Sequence, residues 1–346
     1  MYKLKMGIIG AGGIAQKRHI PAFQKFQDKV VLYAIQDIDE MKAREVAREF
    51  HIEKVFTNYE EMFAEVDAVT IATPNKFHAE ISIAALQAGV HVLCEKPMAI
   101  TTEECIAITE AANISGKVLS TAYHYRFMKE AQAAKKMIQA GEIGEPYVAR
   151  VQAIRRRKVP GWGVFTSKEL QGGGSVIDYG CHLLDLALWL MDDPEPIEIV
   201  GSTYNYVSKG VDQVNLWGNF DASVFEVDDH ATAYIKFANG ASLLFETSWA
   251  ANIREEATVL SLSGTQGGLD VFPLVLNQAK HGMLLNSEAV WMPGEDTPDL
   301  QQAENFINSC LGLAEPLVKP SEAMKVSKII EAIYQSSASG KVMSIN

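Results

Sequence analysis

Gly7-Ile8-Ile9-Gly10-Ala11-Gly12-Gly13-Ile14-Ala15 decides the fold. A β-type run, Lys5 to Ile9, breaks into a glycine cluster, and a helical pattern opens at Ile14 and continues to about Phe26. Gly10 to Ala15 reads GxGxxA. Gly10 permits the tight turn, Gly12 lets the main chain approach a pyrophosphate, and Ala15 is small enough for close helix–strand packing. Gly13 and Ile14 open the helix, whose unpaired N–H groups and positive dipole end favour phosphate. Alone the pattern is weak, because glycine turns between strand and helix are common. Its context strengthens it. Val30 to Gln36 reads as a second strand, and Asp37 ends it, near the roughly 20-residue interval expected of a ribose-binding acid. A carboxylate there can accept both ribose hydroxyls of NAD and repels a 2′-phosphate. The next residue is Ile38, not a phosphate-gripping arginine. NAD is expected over NADP, although Lys17 and Arg18 lie nearby in sequence.

Strand and helix patterns alternate onward from this stretch. Met41 to Phe50, Ala79 to Ala88 and Thr102 to Asn113 read as helices, and Ala68 to Ala72 and Val90 to Cys94 as apolar strands. Continuous apolar strands separated by helices mean a parallel sheet covered on both faces. The texture changes after about Ser120. Residues 146–157, 197–207, 227–237 and 241–249 alternate or run β-branched, mostly without helices between them, and Asn239-Gly240 is a strong hairpin signal. Two helices, about 299–312 and 321–338, follow. The expected fold is α/β: a dinucleotide-binding domain over 1–123, then an α+β domain with a mainly antiparallel sheet over 124–346.

Two further stretches carry residues fit for chemistry. Ala72-Thr73-Pro74-Asn75-Lys76-Phe77-His78 and Cys94-Glu95-Lys96-Pro97 both begin where apolar strands end. Ligands of open α/β sheets lie outside those carboxyl ends. A lone lysine is usually a solvated charge, but the strand-end position of Lys96 raises its standing. Gly172-Gly173-Gly174-Ser175 then opens an apolar helix, with Ser175 as the expected N-cap. Asp178 and His182 stand at i and i+4 on one face, and Asp185 continues the stripe. An Asp beside a His suits a general base, or equally a structural hydrogen bond. No third residue with metal-ligand spacing accompanies them, so no metal is expected. Arg155-Arg156-Arg157-Lys158 reads first as a solvated strand face. Alternatively one or two of its arginines, Arg156 among them, hold a substrate carboxylate. Trp162, between Gly161 and Gly163, could present a flat apolar surface to a sugar or nicotinamide, or be a core tryptophan.

In this order, GIIGAGGIA (7–15), ATPNKFH (72–78), CEKP (94–97), YRF (125–127), GGGSVIDYGCHLLDLALWL (172–190) and the closing PSEAMKVSKIIEAIYQSSASGK (320–341) resemble the glucose–fructose oxidoreductase/inositol dehydrogenase/MocA family, Gfo/Idh/MocA. The resemblance covers essentially the whole chain. It implies a Rossmann domain, a C-terminal open-faced sheet that forms a homodimer or homotetramer interface, and a nicotinamide cofactor. It also implies that Lys96 is the catalytic lysine and that Asp178 and His182 are its partners. Ala72, Thr73, Pro74, Asn75, His78 and Glu95 would line the cofactor site, with Arg126 near nicotinamide and substrate.

The expected activity is NAD(P)-dependent hydride transfer at a CH–OH carbon of a sugar, sugar derivative or inositol. Two alternatives stay open: an enzyme that recycles its NAD through transient oxidation, and a dinucleotide-binding sensor. The 346 residues include 31 basic and 43 acidic side chains, a net charge of −12. That balance argues against nucleic acid and anionic membrane as partners. Neither a signal-type apolar run nor a membrane span is visible. The four cysteines form no CxxC pair, so the cytoplasm is expected.

Overall fold

The computed structural model describes residues 3–210 and 214–345; Met1 and Tyr2, at the head of the first apolar run, lie outside them. The chain forms two compact units, Met1–Phe127 with Thr297–Ser327, and Met128–Asp296 with Lys328–Asn346. No helix among the described residues is long and apolar enough to cross a membrane.

Six parallel strands build the sheet of the first unit: β1 (Leu4–Ile9), β2 (Val30–Gln36), β3 (Lys54–Phe56), β4 (Ala68–Ile71), β5 (His91–Cys94) and β6 (Leu119–Thr121). Their order is β3-β2-β1-β4-β5-β6. The direction of winding reverses between β1 and β4, and the crevice at that point is where such sheets bind dinucleotides. All of β4 is buried, as a strand covered on both faces must be. The connecting helices are α1 (Ile20–Phe23), α2 (Glu40–Phe50), α3 (Tyr59–Phe63), α4 (His78–Gln87) and α5 (Thr102–Ser115). Their ends follow from local chemistry. The Asp39 carboxylate accepts from the Met41 and Lys42 N–H groups at the start of α2. Thr101 and Glu104 form a reciprocal capping box on α5.

The helix expected from Ile14 to Phe26 is present but not uniform. A wide turn over Ala15–His19 precedes α1, and a tight turn over Gln24–Phe26 follows it. Pro21 lacks the N–H that would bond four residues back, and the Ile20 N–H instead reaches five back, to the Ala15 carbonyl.

The second unit contains α6 (Lys129–Gln139), β7 (Pro146–Ile154), α7 (Lys168–Gln171), α8 (Cys181–Leu190), β8 (Pro196–Tyr204), β9 (His230–Phe237), β10 (Ser242–Ser248), β11 (Ala257–Gly264), β12 (Gly268–Asp270), β13 (Val275–Lys280) and β14 (Met283–Glu288). After α9 (Pro298–Cys310) and α10 (Pro320–Ser339), β15 (Met343–Ser344) completes its sheet. The nine strands run β14-β13-β12-β11-β7-β10-β9-β8-β15. Every pair is antiparallel except β10 with β7. The Asn239-Gly240 turn joins β9 to β10, with Phe237 N–H donating to the Ala241 carbonyl. On β10, Leu243, Phe245 and Thr247 face inward and are buried. The turn leading into α8 lies on them so closely that a Cβ at Gly180 would stand 2.6 Å from Phe245 Cζ. Outward, Val200, Tyr234, Leu244 and Arg150 form one row across four strands.

Thr297–Ser327 groups with the first unit, not with the α+β domain to which the sequence reading assigns it. Ala303, Phe306 and Ile307 of α9 join Leu4, Met6, Ile8 and Phe23 in one apolar cluster. Nothing local in α9 announces this. Its apolar stripe needs a partner face, and linear order does not say which.

Candidate functional site

The glycine loop leaves β1 at Gly10, whose φ is +92° and whose added Cβ would stand 2.5 Å from the Ala72 carbonyl oxygen. Left-handed backbone and close approach to the end of β4 both require glycine. Gly12 and Gly13 differ: a Cβ on either meets no protein atom within 4 Å. The Thr73 hydroxyl, at the end of β4, is buried without a hydrogen-bond partner among the described residues. An open loop at a helix N-terminus and an orphaned hydroxyl fit a phosphate-bearing dinucleotide, and Gly10, Gly12, Gly13 and Ile14 lie along that loop.

Asp37, at the end of β2, is bonded to that same loop. Its Oδ2 accepts from Ala11 N–H at 2.8 Å and from Lys42 Nζ at 3.1 Å, and its Oδ1 from Asp39 N–H at 3.0 Å. Burial alone would raise its pKa. The Asp39 and Ala11 N–H groups and the Lys42 ammonium outweigh burial and hold it below the ordinary value. The acid is therefore fixed as an anion with acceptor capacity left for ribose hydroxyls.

Cys94-Glu95-Lys96-Pro97 leaves β5 on the same edge of the sheet, with a cis Lys96–Pro97 bond. Lys96 is half-buried, and its N–H donates to Glu95 Oε2 at 3.1 Å. Glu95 is buried, and its Oε1 meets His19 Nε2 at 2.7 Å. Burial opposes the Glu95 charge, but His19, Lys96 and Arg18 overcome it and hold the pKa down to about 2. Arg18 reaches His124 Nδ1 at 3.0 Å and Asp299 at 3.0 Å. Burial, then Arg18, lowers His124 to about 3, which keeps it neutral.

His78 and Arg126 are committed to the protein interior, which differs from their expected roles. His78 is fully buried, with Nδ1 2.8 Å from the Pro97 carbonyl and Nε2 3.1 Å from the Thr73 carbonyl. Burial lowers its pKa, and a neutral ring donates to only one carbonyl at a time. It ties the segment after β4 to the segment after β5 and offers no surface to a ligand. Arg126 is 1% exposed and donates to the Leu317 carbonyl at 3.2 Å and to the Glu322 carboxylate. Its bonds hold the C-terminal segment onto the first unit. Asn75 is half-buried.

In the second unit, Asp178 lies in a wide turn, Val176–Gly180, that runs straight into α8. Such insertions are frequent at functional sites. Asp178 Oδ2 accepts from Trp249 Nε1 at 3.0 Å and pairs with Arg155 Nη1 at 3.8 Å. His182 and Asp185 are buried on α8. Ser175 is not the cap. Asp228 takes that role, accepting from Gly174 N–H at 2.7 Å, Ser175 Oγ at 2.7 Å, Val176 N–H at 3.0 Å and Tyr334 hydroxyl at 2.7 Å. Among the basic run, Arg155 meets Asp178, whereas Arg156 is exposed and its Nη1 donates to the Arg254 carbonyl at 3.5 Å. Trp162 is exposed, not a core residue. His19, Trp249 and Asp228 are side chains to which the sequence alone gives no role, and Arg155, in a run open to two readings, pairs with an acid of the protein itself. His19 alone had a signal, a titratable group on the buried side of the glycine-loop helix.

These features match known proteins over the whole chain. Residues 4–123 match the model described as "Oxidoreductase family, NAD-binding Rossmann fold", and residues 131–270 match the GFO/IDH/MocA C-terminal domain. D-glucoside 3-dehydrogenase of Escherichia coli K12 is 34% identical over 97% of this chain and 96% of its own. Levoglucosan dehydrogenase of Pseudarthrobacter phenanthrenivorans is 30% identical over 78% of this chain and 73% of its own. A solved levoglucosan dehydrogenase complex with NADH superposes with a TM-score of 0.84 at 25% identity, covering 100% of both chains. With its glycine loop, its strand-end acid and both of its units so matched, the chain belongs to the Gfo/Idh/MocA family of NAD-binding oxidoreductases.

Proposed function

We propose that this oxidoreductase moves a hydride between NAD and a ring CH–OH carbon of a sugar or closely related cyclic polyol. The observation that carries the reading is the half-buried Lys96, at the carboxyl end of β5 on the sheet edge that bears the glycine loop and Asp37. The names of the relatives, D-glucoside 3-dehydrogenase and levoglucosan dehydrogenase, support a sugar as substrate. NAD, when bound, supplies the hydride acceptor. Gly10, Gly12, Gly13 and Ile14 hold its phosphates, Asp37 its ribose, and Thr73, Pro74 and Asn75 border it. A sugar hydroxyl holds its proton far above neutral pH. The Lys96 ammonium stabilises negative charge growing on that oxygen. The family resemblance gives the proton to His182, with Asp178 or a neighbouring acid orienting that imidazole, as the partners of this lysine.

The test is NAD and NADP reduction against a panel of sugars, inositols and sugar acids, beside Lys96→Met. The expected result is NADH formation with one substrate class, with kcat lowered about 10²–10⁴-fold in the variant. Normal turnover by Lys96→Met overturns the assignment. Product without net NADH assigns internal cofactor recycling instead. The other partner proposed is a second copy of the chain, supported by the exposed Val200, Tyr234 and Leu244 on the outward face of the second sheet. The net charge of −12 supports leaving nucleic acid aside, and the cysteine spacing supports a reducing cytoplasm.

A further inference from the structure

An exposed aromatic pair stands beside Asp178 and has no part in the proton and hydride steps. Trp162 is 53% and Trp217 38% exposed. Their ring centroids lie 5.4 Å apart, and Phe165 meets Trp162 edge-on at 6.1 Å. The segments that carry the indoles are pinned. Asn215 accepts from the Val159 N–H at 2.9 Å and donates to the Val159 carbonyl at 2.9 Å and the Gly218 carbonyl at 2.8 Å. Leu216 N–H donates to the Arg157 carbonyl at 2.9 Å. A Cβ at Gly161 would stand 2.5 Å from Phe220 Cβ, so the turn before Trp162 is pressed onto its neighbour. Two large indoles held rigid in water form a surface prepared for a ligand.

Arg155 sets how far that surface lies from the polar centre. Its guanidinium carbon is 4.5 Å from the Trp217 ring and 4.0 Å from the Tyr179 ring, while Nη1 is 3.8 Å from Asp178 Oδ2. One guanidinium meets both the Trp217 ring and the Asp178 carboxylate, so the indole surface neighbours the polar centre without being part of it. A pyranose or aryl ring presents a C–H face or an aromatic face, both of which stack on an indole. A free monosaccharide held at Asp178 has no further ring to lay on the indoles. A sugar with a second ring covers them.

We propose that Trp162 and Trp217 form a subsite for the ring attached to the reacting sugar, so that the preferred substrate is a ring-bearing glycoside or disaccharide. This rests on the assignment of Asp178 and His182 to the sugar. The experiment compares D-glucose, methyl β-D-glucoside, phenyl β-D-glucoside and cellobiose on NAD-loaded wild type, Trp162→Ala, Trp162→Phe and Lys96→Met. Turnover and calorimetric binding are both read. The methyl glucoside has the glycosidic bond but no second ring. The expected result is about a tenfold advantage of phenyl glucoside and cellobiose over methyl glucoside. It collapses to within about twofold in Trp162→Ala and is largely retained in Trp162→Phe. Equal handling of methyl and phenyl glucosides by the wild type, or equal losses on both in Trp162→Ala, overturns the subsite. A Trp162→Ala change in NAD affinity alone assigns the indole to the cofactor and also overturns it. If no sugar shows Lys96-dependent turnover, the catalytic reading fails separately, and the calorimetric phenyl-to-methyl ratio still decides the subsite.

Discussion

Glu95 shows how much one buried charge can organise. Its carboxylate bonds His19 on one oxygen and the Lys96 N–H on the other, so it fixes the segment that presents the proposed catalytic ammonium. Its pKa, about 2, lies below the ordinary 4.5. The stability it contributes is complete above about pH 4.5 and is lost as pH falls toward 2. Glu95→Gln is expected to lower unfolding stability by about 2 kcal/mol at pH 7 and by much less at pH 2.5, measured by urea denaturation at both pH values. An equal deficit at both would deny Glu95 its ionic role. The places of Lys96, Asp178 and His182 were legible in the sequence, because strand ends and helix stripes are local patterns, whereas their roles are what the family resemblance implies. Their partners were not legible. His19 is 76 residues from Glu95 and Trp249 is 71 from Asp178, distances at which only the folded chain defines a neighbour. For His78 and Arg126 the type of residue was legible, but the direction of the side chain was not.

Elements show a similar division. Long periodic helices and the strands of the first sheet were readable, whereas β3 and β6, three residues each, are too short to show a period. Serine is a good cap, so Ser175 looks like the start of the Asp178-bearing helix, but the real acceptor, Asp228, arrives from a later segment. Asp228 is held against four donors, so its replacement strips the N-terminus of that helix. Asp228→Asn is expected to cost about 3 kcal/mol and Tyr334→Phe, which removes one of the four bonds, about 1 kcal/mol. Chemical denaturation of both variants reads the difference; equal costs would show that the cap is not organised around the carboxylate.

At the scale of the whole molecule, the nine-stranded sheet covers one face with α8 and leaves Val200, Tyr234 and Leu244 outward and exposed. An apolar row across adjacent strands suits a two-fold contact between identical sheets. Leu244→Glu places two like charges in such a contact and is expected to raise the dissociation constant of the dimer about a hundredfold, read by sedimentation velocity across a dilution series. A wild type that stays monomeric at micromolar concentration would remove the proposal. Alternation made the presence of both sheets legible, but not β11 to β15 of the second sheet, nor the traffic of the chain between the units. That traffic has a consequence for biosynthesis. Proteins usually fold N-terminal domain first as they leave the ribosome. Here Phe306 and Ile307 belong to the same apolar cluster as Leu4 and Met6. The nucleotide-binding half therefore waits, its hydrophobic seam unsealed, until about 300 further residues beyond Leu4 have been translated.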